Sequence, residues 1–266
     1  APRGDRSDAR RIILRLRRGL RAPRLVRPNL YVISPLVLPG HSTGLFGRLN
    51  RWSLGLSLFL ADCFLDFRNP LLWTFNPQTG NYLSLNKFHA TIYHCVDRIQ
   101  AQPGMPSEAI EKAEADLCGF ANAVFTTSPQ LQQSLAELNA GTNYFGNVAD
   151  AKFFSRALDP VESVPTDLPQ GSAPILMFVG AIDAYKLDLP MLEALVARHP
   201  EWNVVLIGPV GETDPSTDTS DLEQFSNVHL LGPKPYGVLP NYLSQADVAL
   251  LPLQLNDYTR HMYPMK

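Results

Sequence analysis

The stretch from Pro174 to Val196 limits most strongly what this chain can fold into. It opens with five consecutive apolar residues, Ile175 to Val179, followed by Gly180, and this pattern predicts a short strand that is buried on both faces. Asp188 is suited to cap a helix, and Pro190 suits a first helical turn because no intrahelical partner is needed for its missing N–H. The apolar residues behind it recur at helical spacing, at Leu192, Leu195 and Val196. The stretch therefore predicts a strand, a glycine turn and a helix.

Such a unit places a helix N-terminus at the carboxyl end of a parallel strand. Exposed backbone N–H groups and the helix dipole both favour an anion there. Lys186 lies in the turn, where its ammonium could reach a phosphate. Gly180 and Lys186 are thus candidates for phosphate binding, and a turn that binds nothing is the alternative.

Alternating strands and helices cover most of the chain and predict an α/β fold with parallel sheets and flanking helices. Strands are predicted at 29–34, 71–75, 90–95, 123–126, 175–179, 203–207, 228–231 and 248–251. Helices are predicted at 45–67, 108–120, 130–138, 189–198 and 239–245. Residues 158–172 are rich in Pro, Ser, Asp and Gly and predict a linker. The sequence therefore predicts two Rossmann-like domains with a central cleft, into which the carboxyl ends of the strands face.

The predicted organisation has four parts. They are a basic N-terminal segment (1–28), an N-terminal domain (29–156), a linker (157–173) and an incomplete C-terminal domain (174–266). The basic segment carries ten arginines between residues 1 and 27, against Asp5 and Asp8. Two interpretations remain open for it: a solvated helix near Ile12 to Leu20, or attraction to an anionic membrane surface. Aromatic residues are not interleaved with its arginines, so we expect no nucleic-acid partner.

Composition narrows the class of protein. Hydrophobic residues make up 45% of the 266 residues and charged residues 18%, which indicates a globular chain rather than a disordered one. The three cysteines are widely spaced without a C-x-x-C pair, which argues against a disulfide framework or a zinc site and indicates a reducing cytosol. The most apolar stretch, Leu54 to Phe67, is too short to span a bilayer and contains Asp62, so it predicts an amphipathic or core helix.

An ordered set of short motifs resembles glycosyltransferases of the GT-B fold, family 4 type, in particular a bacterial branch that builds cell-surface polysaccharides. In the second half the motifs are F-V-G-A-I-D-A-Y-K, W-N-V-V-L-I-G-P-V, V-H-L-L-G-P-K-P-Y, A-D-V-A-L-L-P-L and Y-P-M-K. In the first half they are L-L-W-T-F-N-P, T-I-Y-H-C-V-D, A-N-A-V-F-T-T-S-P-Q-L and N-V-A-D-A-K-F-F.

The resemblance implies roles for particular residues. The donor diphosphate would be bound at Gly180 and Lys186, and the catalytic residues near the transferred sugar would be His94 and Asp97. The nucleotide base and ribose would lie near Gly208, Lys234, Pro235 and Tyr236, and a sugar-proximal loop would include Arg260 and Lys266. For His94 a local hydrogen-bonding role is the alternative, and for the Lys234 side chain a surface turn.

The resemblance also implies an activity. It is the transfer of a sugar from a nucleotide diphosphate donor to a glycan or lipid-linked acceptor, with retention and without a metal or cofactor, in the cytoplasm or peripherally at the inner membrane. The alternatives are a non-catalytic nucleotide-sugar-binding or glycan-binding subunit and a nucleotide-sugar epimerase.

The chain departs from the family pattern in three ways. The turn reads Ala181-Ile182-Asp183 where the family often has an arginine, and the glutamate expected just after Lys266 is not there. The first strand with its glycine-rich turn is not recognisable either. We therefore expect that both ends are truncated and that this stretch alone is inactive or nearly so.

Overall fold

The computed structural model describes residues 23–36, 44–159 and 164–264, and the chain divides into two units. The first unit comprises the described residues of Ala1–Cys95, Ser107–Phe125 and Gln133–Asn143. The second comprises those of Val96–Pro106, Thr126–Gln132 and Tyr144–Lys266. The predicted α/β class with parallel sheets and flanking helices is confirmed.

The first described strands form a local hairpin. Strand β1 (Arg24–Arg27) pairs antiparallel with β2 (Leu30–Val32), and Asn29 between them has a left-handed backbone with φ of 62°. Asparagine tolerates this conformation, so a tight turn forms here. The sequence prediction of a strand at 29–34 within a parallel sheet is therefore wrong in its pairing and too long. The predicted basic helix near Ile12 to Leu20 lies outside the described residues.

Helix α1 (Gly44–Leu65) carries large apolar side chains that are exposed along its length. Trp52 is 68% exposed and Phe64 73% exposed, whereas the buried positions of the helix are Gly47, Asn50 and Ala61. Of the two predicted interpretations of Leu54 to Phe67, a core helix is therefore wrong within the described part of the chain. No helix among the described residues combines the length and the apolarity that crossing a bilayer requires.

A four-stranded sheet with the order β3-β4-β5-β6 lies mainly in the first unit. Its strands are β3 (Leu71–Thr74), β4 (Ala90–Cys95), β5 (Ala123–Thr126) and β6 (Thr142–Tyr144), and the helices that follow β4 and β5 are α2 (Ser107–Phe120) and α3 (Pro129–Ala136). Strands β3 and β4 are parallel. Ser128 caps α3, because its Oγ accepts the N–H of Leu131 at 3.2 Å.

Polar and thiol groups are buried between β4 and α2. The Tyr93 hydroxyl donates to Glu114 Oε1 at 2.6 Å, and the Cys95 thiol lies 3.6 Å from the same oxygen. Burial raises the pKa of Cys95 above its ordinary value and that of Cys118 to about 12. Cys63, in contrast, lies exposed on α1.

The second unit contains a four-stranded parallel sheet with the order β10-β7-β8-β9. Its strands are β7 (Ile175–Val179), β8 (Asn203–Ile207), β9 (Val228–Leu230) and β10 (Val248–Ala249). Its helices are α4 (Ala151–Phe154), α5 (Leu189–Arg198), α6 (Ser220–Glu223), α7 (Leu239–Leu243) and α8 (Asp257–Arg260). Strands β7 and β8 are buried, as their continuous apolar sequences predict.

Helix α5 begins where the sequence predicts. Asp188 accepts the N–H of Met191 at 3.0 Å, and Pro190 occupies the first turn. Leu192 and Val196 on one face of the helix are buried against Leu176 and Leu206 of the sheet. Each fully buried side chain of this kind stabilises the unit by about 1.5–3 kcal/mol relative to leaving it exposed. This packing fixes the turn between β7 and α5.

Short 3-10 turns complete the described structure. They lie at Pro77–Asn81, Leu85–Lys87, Ile99–Ala101, Ser155–Leu158 and Tyr236–Val238. In the predicted linker, Leu168 is buried against Tyr242 and Met177 of the second unit. The described part of the linker therefore packs against the second sheet.

Candidate functional site

Glycines end three neighbouring strands of the second sheet. Gly180 follows β7, Gly208 follows β8, and the Gly208 N–H donates to the Gly232 carbonyl at 3.1 Å. At Gly208 φ is 151°, and a Cβ there would lie 1.9 Å from the Gly180 carbonyl oxygen. Only glycine permits this close approach of the two loops. Backbone therefore packs directly against backbone at the carboxyl edge of the sheet, the edge at which parallel α/β sheets bind their ligands.

A cavity of about 480 Å³ lies against this edge. Gly208, Pro209 and Gly232 line it together with Val228 and Glu223. Its lining combines apolar side chains, such as Val228 and Leu230, with the carboxylate-bearing Glu223.

The turn after β7 holds Lys186 beside a buried carboxylate. The Lys186 ammonium donates to Asp183 Oδ2 at 3.2 Å, and the other oxygen of Asp183 accepts the N–H groups of Thr213 and Asp214 at 3.0 Å each. Burial opposes the charge of Lys186, but Tyr185 and Asp183 raise its pKa overall. Lys186 is therefore a cation at neutral pH.

Lys186 and Asp97 line one cavity of about 270 Å³ in the second unit. Burial raises the pKa of the Asp97 carboxyl, and Lys186 and a hydrogen bond with Tyr258 lower it only in part. The structure thus brings together two residues that the sequence predicts for different tasks, phosphate binding and acid–base chemistry. A cation and a carboxylate with a raised pKa in one cavity are a typical arrangement of a functional site.

Helix α8 places Tyr258 at this cavity. Its cap is Asn256, whose side-chain oxygen accepts the N–H of Thr259 at 3.0 Å, while the Asn256 amide donates to the Tyr185 carbonyl at 2.6 Å. Arg98 donates to Asp257 at 2.8 Å and fixes the same helix. Burial, and then the negative charge of Asp97, raise the pKa of Tyr258, so its hydroxyl remains a neutral hydrogen-bonding group.

His94 lies in the first unit, among aromatic rings. Its ring centroid is 5.9 Å from that of Trp73, 5.0 Å from that of Phe75 and 6.2 Å from that of Phe125. Both ring nitrogens are buried, and neither has a hydrogen-bond partner within the described part of the chain. Burial lowers the pKa of His94, so the ring is neutral at neutral pH. Its catalytic role stays a prediction.

The remaining residues predicted near the nucleotide base, and Arg260 of the predicted sugar-proximal loop, lie elsewhere in the second unit. Lys234 donates to Asp167 at 2.6 Å, and Tyr236 stacks on Phe153 with ring centroids 4.9 Å apart. Pro235, between them, is the N-cap of a 3-10 turn. The 480 Å³ cavity is lined by Gly208 and Pro233 instead of these three residues. Arg260 is exposed on α8, and Lys266 lies outside the described residues.

Sequence reasoning missed Asp183 and Tyr258 as members of the site. The one available signal is the sequence N-D-Y-T at 256–259, which forms a capping box and marks the start of a helix. Asp183 contacts Thr213 and Asp214 about thirty positions away in the chain. Local spacing does not predict contacts of that separation.

Two parallel sheets with flanking helices, and a glycine-lined carboxyl edge on the second, define the class of fold. It is the GT-B fold of glycosyltransferases, so the predicted resemblance to glycosyltransferases of this fold is confirmed. Assignment to family 4 stays a prediction. No protein-family profile matches the chain.

Three similar proteins illustrate this class. The chain is 24% identical over 205 residues to the putative teichuronic acid biosynthesis glycosyltransferase TuaH of Bacillus subtilis, covering 73% of the chain and 51% of TuaH. Sucrose-phosphate synthase of Thermosynechococcus elongatus aligns with a TM-score of 0.64 at 18% identity, over 92% of this chain and 64% of that one. The HepE protein of Anabaena, solved with UDP and glucose, aligns with a TM-score of 0.55 at 15% identity, over 78% and 58%. The chain thus spans about half the length of the curated relative that it matches.

Proposed function

We propose that this protein transfers a sugar from a nucleotide diphosphate donor to a glycan or lipid-linked glycan acceptor. The observation that carries the proposal is the shared cavity of Lys186 and Asp97, next to a glycine-lined sheet edge. A cation beside a glycine-lined strand end suits a diphosphate, and a carboxylate suits an acceptor hydroxyl. The fold of the chain and the likeness to TuaH support the same assignment.

The donor nucleotide is UDP in this proposal. HepE, a protein of similar fold, was solved with UDP, with UDP-glucose and with UDP and glucose. The uridine would occupy the 480 Å³ cavity lined by Gly208 and Gly232, and the diphosphate would extend past Gly180 toward Lys186. Backbone groups at a carboxyl edge bind the nucleotide in many parallel α/β proteins.

Each group has a task in the proposed reaction. The bond between the sugar C1 and the diphosphate oxygen breaks, and UDP leaves with the electron pair. Lys186 stabilises the negative charge that develops on this leaving group, as fixed donors in a closed site do. An acceptor oxygen forms the new bond to C1, and its proton passes to Asp97, whose pKa is raised by burial, which makes it a stronger base than an ordinary aspartate.

Further parts of the proposal follow from the family resemblance. They are retention at C1, independence of metal ions, a role in cell-surface polysaccharide biosynthesis, and a cytoplasmic location with peripheral contact to an anionic inner membrane through residues 1–27.

Calorimetric titration with UDP, GDP and ADP tests the donor site. We expect UDP to bind, and Lys186→Ala to weaken it about tenfold or more, because a charge-assisted hydrogen bond to a phosphate contributes about 1.5–3 kcal/mol. Lys112→Ala, at an exposed position of α2, is the matched control and should leave the affinity unchanged. Absence of binding by all three nucleotides would contradict the proposal, and so would equal affinities of the Lys186→Ala and wild-type proteins.

A non-catalytic nucleotide-sugar-binding protein is the second candidate. Ala181 stands where the resemblance leads us to expect an arginine, and Lys186 is the cationic side chain among the described residues that line the 270 Å³ cavity. A single cationic side chain stabilises a leaving diphosphate less than two cationic side chains would. UDP binding without any transfer or hydrolysis of UDP-sugars would favour this candidate.

A further inference from the structure

Asp183 is a fully buried carboxylate within the proposed donor site. Its side chain is 0% exposed, although it lies in a turn at the edge of a sheet. Charged side chains are rarely buried to this degree without partners. The cost of burying the Asp183 carboxylate must therefore be offset by hydrogen bonds or an ion pair.

Three hydrogen bonds account for both oxygens of this carboxylate. The N–H groups of Thr213 and Asp214 donate to Oδ1, and Lys186 donates to Oδ2. A fourth contact joins the same segments, since the Ala184 N–H donates to the Thr217 hydroxyl at 2.9 Å. Asp183 thus links the loop at 211–217 to the lysine that faces the cavity.

Lys186 is also restrained on its other sides. Its ammonium lies 5.0 Å from the ring centroid of Tyr185 and 6.0 Å from that of Tyr258, and its side chain is 19% exposed. An ammonium has three N–H donors, and one is directed to Asp183, so others can point into the cavity.

We propose that Asp183 is a positioning residue for the donor diphosphate: its buried carboxylate holds the Lys186 ammonium toward the cavity and joins it to the loop at 211–217. The inference rests on the proposed function and adds to it the group that orients the phosphate-binding cation. A free lysine side chain loses conformational entropy when it binds a ligand, and a lysine already held by a buried partner loses less. Asp183 would therefore increase the affinity for the diphosphate without contacting it.

The electrostatics of the pair agree with this role. Burial alone would raise the pKa of Asp183, but the N–H groups of Asp214 and Thr213 and the neighbouring Lys186 lower it overall. The carboxylate is therefore ionised at neutral pH and retains the lysine as a cation. The two loop N–H groups bind one carboxylate oxygen, which leaves the other for Lys186.

A double-mutant cycle for UDP binding tests the inference. The variants are Asp183→Asn, Lys186→Ala and both together, measured by calorimetry on the folded proteins. We expect Asp183→Asn to weaken UDP about five- to tenfold in the wild-type background and to have no further effect when Lys186 is alanine. Glu212→Gln, which changes an exposed carboxylate of the same loop, is the matched control and should leave the affinity unchanged.

Each outcome has a separate meaning. If Lys186→Ala weakens UDP and Asp183→Asn does not, the donor site stands and the positioning role is overturned. If Asp183→Asn weakens UDP equally in both backgrounds, Asp183 acts through the fold and the positioning role is again overturned. If UDP does not bind the wild-type protein, or Lys186→Ala has no effect, the proposed function itself fails.

Asp183→Glu replaces Asp183→Asn in the double-mutant cycle if the asparagine variant does not fold. It keeps the charge but moves the carboxylate by one methylene, so it should retain the ion pair in a shifted position. We expect UDP affinity between those of the wild type and Lys186→Ala, and again no effect when Lys186 is alanine. Wild-type affinity in both Asp183→Glu and Asp183→Asn would overturn the inference.

Discussion

Replacing Gly208 by alanine should strongly destabilise the second unit and abolish nucleotide binding. The new Cβ would lie 1.9 Å from the Gly180 carbonyl oxygen, and φ of 151° is a conformation that side chains rarely adopt. The obstacle is a backbone oxygen, so relief requires that the ends of β7 and β8 separate, where the Gly180 N–H donates to the Ile207 carbonyl at 2.8 Å. We expect a loss in the free energy of unfolding on the order of 3 kcal/mol, measured by chemical denaturation.

Gly237→Ala is the matched control for this experiment. A Cβ at Gly237 meets nothing within 4 Å, and this glycine lies in the same unit. The Gly237→Ala protein should therefore unfold at the same denaturant concentration as the wild type. A Gly208→Ala protein as stable as the Gly237→Ala protein would mean that the two loops do not approach each other as described.

Asp97→Asn should reduce sugar transfer by about 100-fold or more while UDP affinity changes little. Asparagine keeps a hydrogen-bond acceptor of similar size but cannot take up the acceptor proton. Transfer is measured as UDP release from the UDP-sugar in the presence of acceptor. Asp116→Asn, the same substitution at an exposed position of the first unit, is the control and should retain full activity.

The pH dependence gives a second measure of Asp97. Burial raises its pKa, so its protonated, inactive form persists to a higher pH than for an ordinary aspartate. Wild-type activity should fall as the pH decreases through this raised pKa, and Asp97→Asn should remove that limb of the profile. If the asparagine variant keeps both the activity and the acid limb, Asp97 is not the base.

Continuous apolar segments were the most predictable parts of the fold. The boundaries of β7, β8 and α5 agree with the sequence prediction residue for residue, because burial on both faces and the Asp188–Pro190 start leave few alternatives. The final predicted strand, 248–251, is observed only at Val248–Ala249. Val248 is 47% exposed, so burial does not define the extent of this strand as it does in the central ones.

The site was predictable in its strand ends but not in its long-range contacts. Gly180 and Lys186 could be proposed because they follow a predicted strand, whereas Asp97 and Gly208 were implied by the family resemblance. The pairing of Asp183 with the loop at 211–217 depends on how two crossovers pack, which no local pattern encodes. Lys234 was predicted near the base, and its ion pair with Asp167 could not be foreseen because it joins residues far apart in the chain.

The three cysteines differ in solvent exposure, and this difference allows one of them to be labelled selectively. Cys95 and Cys118 are buried in the first unit and burial raises their pKa values, so few thiolates are available there to react with an electrophile. Cys63 lies exposed on a helix of the same unit. A maleimide dye added to the folded protein should therefore attach at Cys63, which provides a fluorescent label without any substitution in the chain.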